Sequence, residues 1–349
     1  MSALRSILEQ EPIEASAPCR IDMGGTLDLS SFYLPLHHLK PCTFNAALDL
    51  RTTVRLLPFE KGHIKISSKG FDDLVVESER APFNHPLGLM LAVAAYYQAD
   101  GVAIEIRSAS PPRSALGGSS VAAAALIWAF SKALAKREDH AMPARDHVVL
   151  LAHAIEQSVA GVPCGMQDHL AAVYGGVNGW HWTGDPCLAP FERETVVPDE
   201  ACDDFNRHMI VAYCGVPHVS KDINGDWVRQ FIAGNHRRTW HRIAECSRQF
   251  VAALAAGDYE RACAAMDLET DLRRQLTPEV LDDIGLLLVE AARVHQCSAR
   301  FTGAGGGGCL WALGRPDRIE QLGPVWAGIL ARRQTAAILK TSVDTCGLL

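Results

Sequence analysis

Several common features are missing from this chain, and each absence removes a class of function. None of its 11 cysteines stands in a Cys-x-x-Cys pair, and their number is odd. A secreted disulfide framework or a structural zinc site is therefore not expected, and reduced intracellular thiols fit the pattern. No basic block is present, and 33 Lys and Arg are outnumbered by 40 Asp and Glu. The net charge of −7 argues against nucleic acid as a partner, while local basic pockets for phosphates stay open. The longest uncharged apolar run, residues 115–131, is short for a membrane span and opens on Gly and Ser; it reads as a buried Ala-rich helix. The opening stretch MSALRSILEQEPIEAS shows neither the apolar centre nor the cleavage pattern of a signal peptide. A cytoplasmic protein without a membrane partner is the expectation.

At 349 residues the chain exceeds what one hydrophobic core usually supports, so one large or two medium domains are expected. β-branched alternation in TTVRLL and HIKISS reads as strands between Pro41 and Val76, and Gly101–Ser108 as another. Helices are expected over Gly117–Lys136 and Pro143–Ala160. Gly175–Pro198 reads as turn-rich, with a domain boundary around residues 190–206. Beyond it, His208–Cys214 reads as a strand, and 226–256, 258–275 and 277–296 carry helical periodicity. Strands Ala299–Thr302 and Cys309–Leu313, a helix from Arg318 to Arg333 and a strand-like Thr335–Leu339 close the chain. Strands and helices mix in both halves, which implies an α/β or α+β class rather than one doubly wound sheet.

Four segments carry chemistry. Residues 111–120, PPRSALGGSS, run into the apolar stretch VAAAALIWAF. Small residues there let a polyphosphate approach the backbone, and the loop opens a helix whose free N–H groups favour anions. Ser119 and Ser120 offer hydroxyls to phosphate or Mg²⁺, although no Walker A Gly-Lys-Ser/Thr follows. A plain Gly/Ser cap on a core helix is the competing account. In the second segment, Glu156 precedes the turn AGVPCGMQDH, which holds Asp168. One carboxylate can bind a hard cation while the other accepts a hydroxyl proton, unless Glu156 is a surface residue and Asp168 a helix cap. The third segment, TGAGGGGC at 302–309, has more glycines than a hairpin turn needs, so something is expected to pack on its bare backbone. The fourth, APCRIDMGGTLD at 17–28, is a strand entering a Gly turn with charges at Arg20, Asp22 and Asp28.

Taken together and in this order, the segments resemble the GHMP kinase superfamily, which includes galactokinase, homoserine kinase and mevalonate kinase. The family's Pro-x-Arg motif is matched by Pro18-Cys19-Arg20 with Gly24-Gly25, its Gly-Leu-Gly-Ser/Thr-Ser loop by residues 115–120, and its Gly-Ala-Gly-Gly-Gly-Gly turn by residues 303–308. The sequence from Gly165 to Asp168, followed by Ala171–Gly176, looks most like the fucose kinase and heptose 7-phosphate kinase branch. Two departures stand out. Arg20 and Asp28 are one residue closer than in that branch, and Ala115 takes the place of a glycine, which requires a negative φ there.

The resemblance implies an α+β, two-domain GHMP kinase fold. An N-terminal β/α ATP-binding domain (1–195) would face a C-terminal ferredoxin-like α/β domain (196–349) across a cleft. It implies that Ser114, Leu116, Gly117, Gly118, Ser119 and Ser120 cradle the ATP phosphates, with Gly305 and Gly306 packing on the nucleotide from the other domain. Ser119, rather than Ser120, and Glu156 would hold Mg²⁺. Asp168 would accept the proton of the substrate hydroxyl, with Arg20 stabilising the ionised base, and Asp28, Gly25 and Asp168 would contact the substrate. That substrate is expected to be a sugar or sugar phosphate, and the protein a monomer or homodimer. A phosphorylated substrate would call for further cations, for which His37, His38, Lys40 and Lys221 are available. A mevalonate-type alcohol kinase and an ATP- and sugar-binding sensor without turnover are the alternatives; a decarboxylase of the same fold has no evident carboxylate site.

Overall fold

The computed structural model describes residues 3–137, 140–185, 187–217 and 223–349; Lys221 lies outside them. A short amphipathic helix α1 (Ala3–Gln10) leads into β1 (Ile13–Met23), whose alternating burial turns continuous from Ala17 onward. Full burial of that end follows from cover on both faces. The following helix α2 (Ser30–Leu36) brings the chain back to β2 (Cys42–Pro58), which pairs antiparallel with β1 along its length.

β2 is long enough to hold different partners at its two ends. Its second half pairs with β5 (Val102–Ser108) and its first half with β6 (Val177–Trp182). The hairpin β3 (His63–Ser68) and β4 (Leu74–Glu77) extends one side through a parallel β3–β5 pairing, and β7 (Phe191–Val197) extends the other. Four further helices serve this half: α3 (Gly88–Tyr96), α4 (Gly118–Leu134), α5 (Arg145–Val159) and α6 (Gln167–Tyr174). α4 is buried almost all round, as its run of alanines requires of a helix with no polar face.

β6 and β7 occupy the segment expected to be turn-rich. Their side chains alternate poorly because β6 is buried on both faces, where Trp180 and Trp182 donate indole N–H bonds to Asn45 and Thr43 of β2. β7 remains hydrogen-bonded in the first sheet as far as Val197. We therefore propose that the domain division lies at 198–208, just past the expected 195/196.

After α7 (Cys202–Arg207) the second sheet begins with β8 (Met209–Tyr213). α8 (Ile223–Ile232), α9 (Arg237–Ala255), α10 (Tyr259–Leu276) and α11 (Asp283–Val294) separate it from the hairpin β9 (Ser298–Phe301) and β10 (Cys309–Leu313). α12 (Pro316–Leu330) and β11 (Ala337–Leu339) follow, and the strand order β11-β8-β10-β9 is antiparallel throughout. This is the split β-α-β pattern of ferredoxin-like domains. The helical stretch expected over 226–256 is two helices, because Gly234 and His236 take left-handed backbone angles between them. The last residues return to the first sheet, where Leu349 and Ser16 exchange backbone bonds. No helix among the described residues is long and apolar enough to cross a membrane.

Candidate active site

A cavity of about 680 Å³ opens between the two halves, bounded by the end of β1, the loop before α4, the start of α6 and the turn after β9. Its floor is an ion pair. Arg20, on β1 and only 3% exposed, donates from Nε to Asp168 Oδ1 at 2.7 Å and from Nη1 to the carbonyl of Ala115 at 2.7 Å. Asp168 sits in the first turn of α6 and keeps 22% of its side chain open to the cavity. Burial lifts its pKa above the ordinary aspartate value, against the pull of Arg20. For Arg20, burial works against the charge, but Asp168 and Asp22 outweigh it and hold the pKa above the usual arginine value. The two charges are thus matched, and the carboxylate is a stronger base than a solvated one.

The loop before α4 is strained in a useful way. Arg113, Ala115 and Gly117 all take positive φ, at 53°, 59° and 81°. Ala115 is therefore left-handed, contrary to the negative φ expected for a residue replacing glycine. It is held there by the Arg20 bond to its carbonyl and by Cys309 N–H, which donates to Ser114 O at 2.9 Å. At Gly117 a Cβ would lie 2.9 Å from Asp168 Cγ, so glycine allows the loop and this carboxylate to touch. Backbone N–H groups from Arg113 to Gly117 find no acceptor among the described residues. Free backbone amides in a turn ahead of a helix N-terminus are the usual frame of an anion site.

Ser114, Gly117, Gly118, Ser119 and Ser120 line the cavity as expected. Leu116 does not: its side chain is 1% exposed in the core, and only its carbonyl takes part, accepting from Arg20 N–H. Gly305 and Gly306 are also displaced from the cavity. They pack on Val280, whose carbonyl accepts from Gly306 N–H, while Gly303 and Ala304 reach the cavity instead. The glycine run also packs on the loop before α4: a Cβ at Gly308 would meet Ser114 O at 2.6 Å.

Ser119 Oγ donates to Glu156 Oε1 at 3.4 Å. The other oxygen, Oε2, lies 2.8 Å from His169 Nε2 at ion-pair distance, with an angle that falls short of a hydrogen bond. Burial opposes ionisation of Glu156, but His169 and the Ser120 hydroxyl outweigh it and its pKa is lowered. A carboxylate beside a hydroxyl, both of hard oxygen and both facing the cavity, fits Mg²⁺, which takes one or two protein ligands and completes its shell with phosphates and water. No group of three His, Cys, Asp or Glu suited to a metal occurs among the described residues.

The substrate end was expected to involve Asp28 and Gly25. Asp28 does line the cavity, with Oδ2 accepting from Gln167 N–H at 3.1 Å, and burial raises its pKa to about 6. Gly165 passes so close that a Cβ there would lie 1.7 Å from Asp28 Oδ2. Gly25 is not at the cavity: it is wedged between Asp22 and Gln167, and its carbonyl accepts from Arg273. Residues not anticipated include Gln167, whose buried Oε1 has no partner, and Asn224, Arg113 and Lys69, which also line the cavity. Gln167 and Arg113 stand inside recognisable motifs, whereas nothing local to Asn224 or Lys69 marks them. His37, His38 and Lys40 are exposed and lie off the cavity; His38 meets His241 edge-on.

Residues 84–176 match the family model of the GHMP kinases N terminal domain. A galactokinase of Mycobacterium bovis is 27% identical over 319 residues, covering 79% of this chain and 84% of the relative. The structure of a Lactococcus lactis galactokinase complexed with galactose matches with a TM-score of 0.72 at 16% identity, over 100% of both chains. A D-glycero-D-manno-heptose 1-phosphate kinase from Bacteriodes thetaiotaomicron gives 0.71 at 17% identity, over 96% of this chain and 97% of that one. Residues 84–176 thus match a GHMP kinase N-terminal domain, and the two structural matches show a shared fold over nearly the whole chain.

Proposed function

We propose that this protein transfers the γ-phosphoryl group of ATP to a hydroxyl of a sugar or sugar phosphate. The observation that carries this reading is the 2.7 Å Arg20–Asp168 pair at the floor of a cavity also lined by an amide-rich loop and a Ser119–Glu156 oxygen pair.

In this reading the amides of residues 113–118 and the positive end of α4 receive the phosphates. Ser119 and Glu156 hold Mg²⁺, which when bound neutralises phosphate charge. Asp168 accepts the proton of the attacking hydroxyl, and its raised pKa improves it as a base. Arg20 bonds the base through Nε and the phosphate-side loop through Nη1. One planar side chain thus fixes the distance between the attacking oxygen and the phosphoryl group, and such positioning supplies much of the rate in phosphoryl transfer. Asp28 and the unpartnered Gln167 Oε1 accept hydrogen bonds from sugar hydroxyls, which relieves an otherwise costly buried acceptor.

ADP release with Mg-ATP, measured against free sugars and sugar phosphates with mevalonate as an outlier, tests the proposal. Turnover on a sugar supports it. Turnover on mevalonate alone, or ATP binding without turnover on any substrate, overturns it.

A further inference from the structure

Behind Arg20 lies a second set of charges that the transfer reaction does not use. Asp22, two residues along β1, is wholly buried, with Oδ1 3.4 Å from Arg20 Nη1. Among the described residues, every other bond that Asp22 accepts from a side chain or a loop amide comes from the second half of the chain. Gly303 N–H donates to its Oδ1 at 2.7 Å, Arg300 Nη1 to its Oδ2 at 3.2 Å, and the Trp311 indole to its carbonyl at 3.0 Å. Arg300 on β9 is fixed in turn by Glu269 on α10, through 2.8 Å and 3.3 Å bonds. Glu269 also takes Arg273 Nε at 2.8 Å, and Arg273 reaches across to the Gly25 carbonyl and Thr26 Oγ1. Asp22, Glu269, Arg273 and Arg300 are all 0% exposed.

Three arginines (Arg20, Arg273, Arg300) face three carboxylates (Asp22, Asp168, Glu269), so the set is neutral as a whole and unbalanced if any member is removed. Buried ion sets of this kind seldom add stability over apolar packing, and a positional role is their better-attested use. The chain of contacts starts on α10, crosses between the two sheets at Asp22 and ends at Asp168 in the cavity.

We propose that Asp22 is a positioning residue for Arg20, and that the second sheet, through Arg300 and the Gly303 amide, holds it in that role. Arg20 then lines up with Asp168 only while the two halves are seated against each other. Separation of the halves at this point would strand buried charges, so any opening of the cleft must pivot about the network. The inference rests on the kinase reading for the roles of Arg20 and Asp168, but not for the contacts.

Asp22→Asn keeps the shape and an acceptor for Gly303 while removing the charge. With the sugar identified by the panel above, kcat should fall ~10- to 100-fold, the scale of a small misplacement of reacting groups. KM for ATP and sugar should stay within ~3-fold, as expected of an effect confined to the transition state. In an Arg20→Met background the same change should have no further effect beyond ~3-fold, since the two residues act as one unit. A full second loss in that background, or unchanged kcat in Asp22→Asn alone, overturns the proposal. Should Asp22→Asn not fold, Arg300→Lys serves instead. It keeps a cation but loses the fork that reaches Asp22 and Glu269 together, and wild-type kcat in that variant would equally overturn the idea. A readout without turnover separates this inference from the kinase reading. The Arg20 Nε–H resonance, assigned by its loss in Arg20→Lys, should shift or broaden in Asp22→Asn; an unchanged signal refutes the positioning role even if no substrate is found.

Discussion

Replacing Asp168 by Asn separates the base from the scaffold. The variant keeps an oxygen at Oδ1, so Arg20 Nε retains its 2.7 Å acceptor and Nη1 its bond to Ala115 O. Asp22 remains 3.4 Å from the guanidinium, so Arg20 is not left as an unpaired buried charge. The buried set is left one positive charge over, so some stability is lost, but less than the ~3–5 kcal/mol of a pair whose acceptor is removed outright. What disappears is the proton acceptor, worth ~10²–10⁴ in rate, or at least ~2.7 kcal/mol of barrier. A coupled ADP assay should show kcat reduced at least ~100-fold, while calorimetry finds ATP binding within ~3-fold of wild type, as expected if nucleotide contacts are untouched. In the wild type, kcat should decline as pH falls through a pKa above the ordinary aspartate value of 3.8, and Asp168→Asn should flatten that limb. A folded variant with near-normal kcat refutes the base assignment. Loss of ATP binding along with kcat would mean that Asp168 orders the phosphate loop instead.

Ser119→Ala should raise the KM for Mg-ATP more than that for the sugar and weaken Mn²⁺ binding by electron paramagnetic resonance, because only the nucleotide side loses a ligand; equal loss on both sides removes Ser119 from the metal site. Asp28→Asn should stabilise the fold at pH 7.5. The carboxyl's pKa is raised from 3.8 to about 6 by burial, so the folded state binds more protons than the unfolded one between those values and stability declines as pH rises through them. The gain, read as a higher Tm, is on the order of 2–3 kcal/mol above pH 6 and vanishes below pH 3.8, and it should be accompanied by weaker sugar binding; no pH dependence of the Tm difference refutes the burial argument. Gly165→Ala, by pushing a Cβ into Asp28, should raise the sugar KM at least ~10-fold with the ATP KM unchanged; an unaltered sugar KM places Asp28 outside the substrate site.

Motif chemistry was the legible part of this protein. Arg20, Asp168, Ser119 and Glu156 converge at one cavity although up to 148 residues separate them in sequence, because strand ends, helix starts and Gly turns at those positions leave few ways to place them. Tertiary effects were the illegible part. Leu116 sits within a phosphate-type motif, yet its size sends it into the core. Strands β6 and β7 resemble turns in sequence because Gly, Trp and Pro carry little periodicity, and their strand character comes from pairing with β2. The length of the glycine run from 303 to 308 marks a surface that something covers, and the cover is largely Ser114–Ala115 and Val280. That distinction depends on distances across the two halves, which no local pattern encodes.

The shortened Gly turn shows how a departure from a family pattern is absorbed. With one residue fewer between Arg20 and Asp28, the chain must still carry Asp28 to the cavity beside Asp168. It does so with positive φ at Gly24, 75°, and at Thr26 two residues on, 77°, and a β-branched residue in that region costs ~1–3 kcal/mol unless its surroundings hold it there. Those surroundings are present. Thr26 Oγ1 donates to Asn224 at 3.1 Å and accepts from Arg273 at 3.3 Å, while Arg273 also holds the Gly25 carbonyl. Arg273 is buried over the faces of Trp227 and Trp240, at 4.8 Å and 4.7 Å, so it has no room to relax away from the turn. The same α10 that steadies Asp22 through Glu269 and Arg300 thus also holds the compressed turn in place. Arg20 and the turn that carries Asp28, both encoded in the first 28 residues, are thus braced by the second half of the chain.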